Sequence, residues 1–486
     1  MANLAAVIAA EAQRRPAAPA IVSPAGTMGY RALDGAVRET AAALLGQGVR
    51  PGRAAGLLMD DGPTDLVLLL ALFRLGVPAL PLSPQETPAE RRTLLDRVAA
   101  ACCIGARAHR GTAEAAYVVC EDLSPATGAA DLPAPPDADT VAYYNRSSGT
   151  TLGRPKLIAV THAQRWARDG AVGAALGRHG DDRHLHVVTL ANSFGRGAAT
   201  ATLQAGGAVV FPPPLHSVDA VAAFARRAGI TAAALSPPYV RDLLRAPAAG
   251  LLLPGVRLVV GTAALTRAER RQILERITPL LYIAYGTNET GSLAVAAPGD
   301  LALDIDSVGR PFPGIEAAAV GDDLRPLPPG SPGELRFRHP SFPRDYVAPE
   351  PGSTSRFRDG WFYPGDAGSI DGEGRITLLG RVDDVINVGG RKVHPSAIES
   401  WLAAHPAVVE ATVMAARTGR QGQQPVAAVV LRMPVTEDTL MAFCRARGGS
   451  LPMPRRIVAL PALPRNAAGK VDRPALAALL APHLGG

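Results

Sequence analysis

Short apolar runs of strand length alternate with helical stretches through most of this 486-residue chain, and that alternation admits few folds. A helix must cover one apolar stripe and a strand one or both of its faces. Their regular succession therefore implies helices layered on sheets, an α/β architecture. The strand at Ala55–Met59, the helix at Thr64–Leu75 and the strand at Ala208–Phe211 set the pattern. From Arg375 the texture changes. A strand at Ile376–Leu379 runs into Gly380-Arg381-Val382-Asp383-Asp384. Beyond it come a helix at Pro395–Leu402, strands at Val408–Met414 and Val426–Leu431, a helix at Glu437–Arg447 and a last helix after Arg473. That is a compact α+β unit of domain size. The boundaries expected are residues 1–380 for a large multi-layer N-terminal domain and 381–486 for a small C-terminal one, divided near 381–384.

Composition excludes several classes. Hydrophobic residues make up 47% and charged residues 19%, enough to bury a large core and too little charge for a disordered chain. The net charge is +7, but the Arg residues are scattered with no aromatic-spaced basic stripe. A solvated basic surface is expected, with no nucleic-acid partner. The longest apolar run, Leu66–Phe73, stops at Arg74 and is too short to span a bilayer, so no membrane partner is expected. Glu11 interrupts the apolar N-terminus, which has no basic start; it reads as a helix and not a signal peptide. The four cysteines, Cys102, Cys103, Cys120 and Cys444, show neither metal spacing nor a disulfide framework, which fits a reducing cytoplasm.

Only three of the 50 basic residues are Lys: Lys156, Lys392 and Lys470. Arg is a rigid fork and Lys a compact charge on a flexible stem, so Lys persists where a point charge must enter a narrow site. All three lie in glycine-containing segments. The first, SSGTTLGRPK at 147–156, follows a strand-like run. Glycines let backbone N–H groups approach a polyphosphate, the hydroxyls of Thr150 and Thr151 donate, Gly153 keeps the turn tight and Lys156 supplies charge. The spacing is not that of a Walker loop; an ordinary polar loop is the alternative. The second, AYGTNETG at 284–291, offers the Tyr285 ring to an adenine face, Gly286 for close approach, Thr287 and Asn288 to phosphate, and Glu289 as a hard oxygen ligand for Mg²⁺. Its alternative is a strand-end turn. In the third, GWFYPGD at 360–366, Asp366 can accept both hydroxyls of a ribose or simply form a turn. The fourth, GRVDDVINVGGRK at 380–392, brings Arg381 within reach of ribose or phosphate. The fifth, PRNAAGKVDR at 464–473, holds Lys470 on a loop that could enter a site made by another domain. Solvated basic loops are the alternative for both.

In this order and spacing the five segments resemble the core motifs of the adenylate-forming superfamily: acyl- and aryl-CoA ligases, adenylation domains and luciferases. The resemblance covers almost the whole chain. It implies a mobile C-terminal domain, with the active site between the two domains. It implies ATP and Mg²⁺ as cofactors and a small-molecule acid as substrate. CoA, a separate carrier protein or an amine is the implied acceptor. Residue by residue, it places Thr150, Thr151, Gly153 and Lys156 at pyrophosphate, and Gly261, Thr262 and Ala263 beside the adenine. Tyr285 stacks on that base and Glu289 holds Mg²⁺. Asp366 and Arg381 meet the ribose, Asp383 is the hinge and Lys470 the catalytic lysine of adenylation. Rotation about Asp383 replaces Lys470 with the Gly389-Gly390 loop.

The segment TLANSFGRG at 189–197 resembles the acid-pocket motif of the same superfamily, giving Asn192, Ser193, Phe194, Gly195 and Arg196 as pocket residues. Arg196 would meet a polar or anionic substituent or lie solvated. No Asp or Glu occurs from His184 to Val218, so an α-amino acid, whose ammonium needs a carboxylate there, is not the expected substrate; an aryl or acyl acid is. His184 and His186 alternate along a strand and, with no further ligands nearby in sequence, read as packed or surface histidines and not a metal site.

Overall fold

The structure, a computed structural model, describes residues 3–110, 116–123, 132–147, 156–214, 217–245, 250–347, 355–388, 391–417, 423–448, 452–465 and 471–483; the side chains of Lys392 and Arg417 are outside this description. The expectations for Thr150, Thr151, Gly153, Gly389, Gly390 and Lys470 therefore lie outside the described residues.

Two sheets sandwich a layer of helices. The first has nine strands, and its central strands Leu281–Thr287, Arg257–Val260, Ala232–Leu235, Arg183–Leu185, Ala208–Val210 and Pro19–Ser23 run parallel in that spatial order. The second has six: Tyr117–Val119, Cys102–Gly105, Ala55–Leu58, Ala79–Leu82 and Val141–Arg146 are parallel, and Leu157–Thr161 closes it antiparallel. Parallel strands covered on both faces are continuously apolar, as Ala55–Leu58 and Ala232–Leu235 are, with every residue buried. The helices Leu4–Arg14, Tyr30–Gly46 and Pro63–Leu75 lie between the sheets. Their Ile8, Leu33, Leu44 and Leu69 share one core with Ile21 and Val209 of the nine-stranded sheet and Leu57 and Ala79 of the six-stranded one.

A third sheet is antiparallel. Gly333–Arg338 pairs with Glu316–Val320 and Asp366–Ile370, and the latter with Ile376–Arg381. Its register places Asp366 directly opposite Arg381. The C-terminal region has a core of its own, in which Ile398 and Leu402 of the helix Pro395–Ala403 pack on Val413, Ala427 and Val429 of a three-stranded sheet and on Leu440 and Cys444 of the helix Glu437–Gly448. That core begins at Ile386, just past the expected division. Among the described residues no helix is long and apolar enough to cross a membrane.

Candidate active site

In an open α/β sheet, ligands meet the carboxyl ends of the parallel strands. Leu281–Thr287 ends there, and its last turn carries most of the expected machinery. A Cβ on Gly286 would collide with the Gly291 carbonyl, so only glycine allows the antiparallel return. Thr287 closes the turn: its hydroxyl accepts from the Thr290 N–H at 3.2 Å and sits 3.1 Å from the Thr290 hydroxyl.

Three side chains expected at the nucleotide come together. The Tyr285 hydroxyl donates to Asp366 Oδ2 at 2.6 Å, and Arg381 Nη1 donates to Asp366 Oδ1 at 2.9 Å and to the Pro364 carbonyl at 2.8 Å. Burial, reinforced by Asp366, holds the Tyr285 phenol well above its ordinary pKa, so it remains a donor. Gly365 precedes the aspartate at φ +75°, where a side chain would also press on Arg381. Each Asp366 oxygen thus has one protein donor and keeps a lone pair for a ligand.

Glu289, four residues beyond Tyr285, is buried at 8% exposure. Its Oε1 accepts from the Tyr346 hydroxyl at 3.2 Å, and the Lys156 ammonium lies 4.7 Å from the centroid of that same ring. Tyr346 therefore joins two residues whose pairing the sequence did not reveal. Val347 donates to the Leu157 carbonyl at 2.8 Å, fixing the ring beside the strand that Lys156 precedes. Among the described residues no three His, Cys, Asp or Glu side chains converge on a metal position. One buried carboxylate with open lone pairs is nevertheless a donor set that suits Mg²⁺, which completes its octahedron with water and phosphate oxygens.

A cavity of about 240 Å³ lies between Tyr144–Ser147, Ala191–Ser193, Arg196 and Asn288. Asn192 caps the helix Ser193–Gln204, accepting from the Phe194 N–H at 2.8 Å. Gly195 lets that helix start against the Val188 and Thr189 carbonyls. The Phe194 ring covers Gly261, where a Cβ would lie 3.0 Å from it. Thr262, next in the chain, holds φ at +74°, a strained state for a β-branched residue that marks functional sites; Thr262 and Ala263 are exposed.

One expectation is corrected. Arg196 is not solvated: it is 2% exposed, over the Tyr143 ring at 4.7 Å, and donates to the Leu190 and Ala191 carbonyls and to Asn145 Oδ1. Its helix is buried nearly all round, so a polar residue there had to find partners inside. Asn288, expected at phosphate, gives one amide N–H to the Arg146 carbonyl at 2.6 Å and accepts from the Ser193 hydroxyl. It ties the two walls of the cavity together. His184 and His186 are packed, at 1% and 4% exposure. Asp383 is exposed in the turn Val382–Asp384, and the neighbouring Asp384 pairs with Arg473 at 2.9 Å. Arg465 and Val471 form an antiparallel bridge.

Fold and site together define an α/β protein with a large N-terminal and a separate C-terminal domain, in which Tyr285, Asp366 and Arg381 meet beside the carboxyl end of Leu281–Thr287. The chain belongs to the AMP-binding enzyme family: residues 8–347 match that family's main domain and residues 397–470 its C-terminal domain. Membership makes it an ATP-dependent, AMP-forming ligase. It is 27% identical to a 2-succinylbenzoate–CoA ligase of Bacillus cereus over 433 residues, 88% of each chain. Its fold is similar to that of O-succinylbenzoate coenzyme A synthetase from Bacillus subtilis in complex with ATP and magnesium ion, with a TM-score of 0.85, 25% identity, and coverage of 96% of this chain and 98% of that one. It is equally similar to the amide bond synthetase McbA from Marinactinospora thermotolerans, with a TM-score of 0.86, 25% identity, and coverage of 98% and 99%.

Proposed function

We propose that this ligase activates an aryl or acyl carboxylic acid, not an α-amino acid, and passes it to the thiol of CoA in the cytoplasm. The observation that carries the reading is the meeting of Tyr285, Asp366 and Arg381 on one side of the 284–291 turn with Glu289, Tyr346 and Lys156 on the other. The first group suits a nucleoside and the second a magnesium polyphosphate. In the first half-reaction a carboxylate oxygen of the acid bonds to the α-phosphorus of ATP, and the bond from that phosphorus to the β-bridging oxygen breaks, releasing pyrophosphate. Charge builds on the oxygens around phosphorus, where fixed cations are most effective. Lys156 and Lys470 supply two of them. Mg²⁺ held by Glu289, when bound, would neutralise the phosphate oxygens. In the second half-reaction the CoA sulfur bonds to the acyl carbon, AMP leaves with the mixed-anhydride oxygen, and the thiol proton passes to solvent.

Several features support the choice of substrate and compartment. The pocket segment lacks a carboxylate to pair an α-ammonium. The similarity to 2-succinylbenzoate–CoA ligases spans both domains. The four cysteines show no disulfide framework in their spacing, which fits a reducing compartment. The similarity to an amide bond synthetase favours a second reading, in which an amine replaces CoA. Incubation with ATP, Mg²⁺ and a panel of aryl, fatty and amino acids, with CoA or an amine added, tests both through pyrophosphate release and product mass. CoA thioester formed from aryl or fatty acids is the expected outcome. Amide formed without CoA would establish the second reading, and turnover with α-amino acids alone would overturn the substrate assignment.

A further inference from the structure

A second cavity, of about 370 Å³, opens beside the first and shares no lining residue with it. It too lies at the carboxyl edge of the nine-stranded sheet. Pro24, His186 and Phe211 line it, each immediately after a parallel strand, together with Asp61, Pro212, Pro213 and Tyr239. The segment 187–193 runs between the two cavities: Val187 faces the second, and Ala191–Ser193 the first.

Its polar groups are poorly matched by the protein. Asp61 is half-buried at φ +64° and accepts from the Leu190 N–H at 2.6 Å. Among the described residues it has no cationic partner. The neighbouring charge, Asp60, is also negative and is engaged with His109 at 2.5 Å. His186 is 4% exposed, and its Nε2 has no hydrogen-bond partner; burial pushes its pKa down to about 4, so the ring is neutral. A half-buried carboxylate without a cation and a buried imidazole nitrogen without a partner each cost stability, and such uncompensated groups mark binding sites. Among the described residues no three His, Cys, Asp or Glu side chains converge here. The rest of the wall is four prolines, Phe211 and Tyr239, with Gly62 and Val187.

We propose that this cavity binds a small organic ammonium ion, its N–H donors on the Asp61 carboxylate and its apolar body against Phe211, Pro212 and Pro213. Through the Asp61–Leu190 hydrogen bond it touches the segment that carries Asn192 into the first cavity.

Calorimetric titration of the full chain, without ATP or acid, tests this with methylammonium, butylammonium and benzylammonium as probes. At least one is expected to saturate at one per chain, with benzylammonium bound about tenfold or more tightly than benzyl alcohol, which has the same body and no charge. Asp61→Asn is expected to weaken ammonium binding about tenfold or more. Asn tolerates the left-handed backbone and can still accept from Leu190, so this variant folds, as its thermal melt will show. Ser193→Ala, in the first cavity, is expected to leave ammonium binding unchanged. Saturation by none of the probes, equal binding of benzyl alcohol, an unaffected Asp61→Asn, or loss on Ser193→Ala would each overturn the proposal.

Discussion

Tyr346 donates its hydroxyl to Glu289 across 57 residues of sequence while its ring lies beneath the Lys156 ammonium. Burial and then the Glu289 charge raise the phenol pKa far above its ordinary value, so the hydroxyl donates at every working pH. A hydrogen bond of this kind fixes which carboxylate lone pairs remain for a metal, and losing such a supporting partner costs about 10- to 100-fold in metal affinity. Tyr346→Phe keeps the ring under Lys156 and removes only the donor. The Mg²⁺ concentration for half-maximal pyrophosphate release should rise about tenfold, with little change in KM for the acid. An unaltered Mg²⁺ dependence would place Glu289 away from the metal.

The Asp366 carboxylate has two protein donors of unequal kind, the neutral Tyr285 hydroxyl and the charged Arg381. If its remaining lone pairs receive the ribose hydroxyls, substitutions should rank. Asp366→Asn removes a charged acceptor and should raise KM for ATP about 10- to 100-fold, whereas Tyr285→Phe, which removes one donor, should raise it only a few-fold, about 1 kcal/mol. ATP titrations at saturating acid would decide; the reverse ranking would mean that Tyr285 and not Asp366 meets the sugar.

Lys470 gives a sharper test of the two half-reactions. A single positioned charge at a developing oxyanion is worth about 10²–10³ in rate. Lys470→Ala should lose that much in pyrophosphate release from ATP and acid, yet convert pre-formed acyl-adenylate to thioester at near the normal rate. Equal loss in both assays would assign Lys470 to binding or to folding.

Sequence reading located elements better than contacts, and particular residues show why. The strand at Ala55–Leu58 and the helix at Pro63–Leu75 were expected almost to the residue because apolar runs and their interruption, as at Arg74, are local signals. Asp366 and Arg381 were both named, but their pairing is a consequence of hairpin register, set by how two strands align. Tyr346 was missed: a lone tyrosine in a polar stretch resembles a surface residue until the chain folds it onto Glu289. Asn192 was assigned to the pocket through resemblance, and its capping of the helix Ser193–Gln204 could have been read from Asn standing before a helical run. Arg196 was harder. Its helix is rich in Ala and Gly and has little amphipathic contrast, so nothing local distinguished an inward-facing arginine from an outward-facing one.

The charge at Asp61 should be measurable as a stability cost. Burial, partly offset by the Leu190 N–H and reinforced by Asp60, pushes its pKa from an ordinary 3.8 up to about 6. Between those values the folded chain holds a proton at this carboxylate that the unfolded chain has released, so the contribution of Asp61 to stability falls as pH rises from about 4 to about 6. Asp65 shifts in the same direction, also to about 6, with Asp60 and Asp61 adding to its burial; His186, across the cavity, is pushed from 6.5 down to about 4, so its contribution runs the opposite way through this window and is common to wild type and variant. Asp61→Asn removes one titrating group and keeps an acceptor for Leu190. Relative to the wild type, it should gain about 1 kcal/mol above pH 6, after allowance for the partial exposure of the carboxylate, and the gain should vanish near pH 4. Urea midpoints at the two pH values measure this difference; a variant equally stabilised at both would mean that packing, and not an unpaired charge, sets the cost at this position.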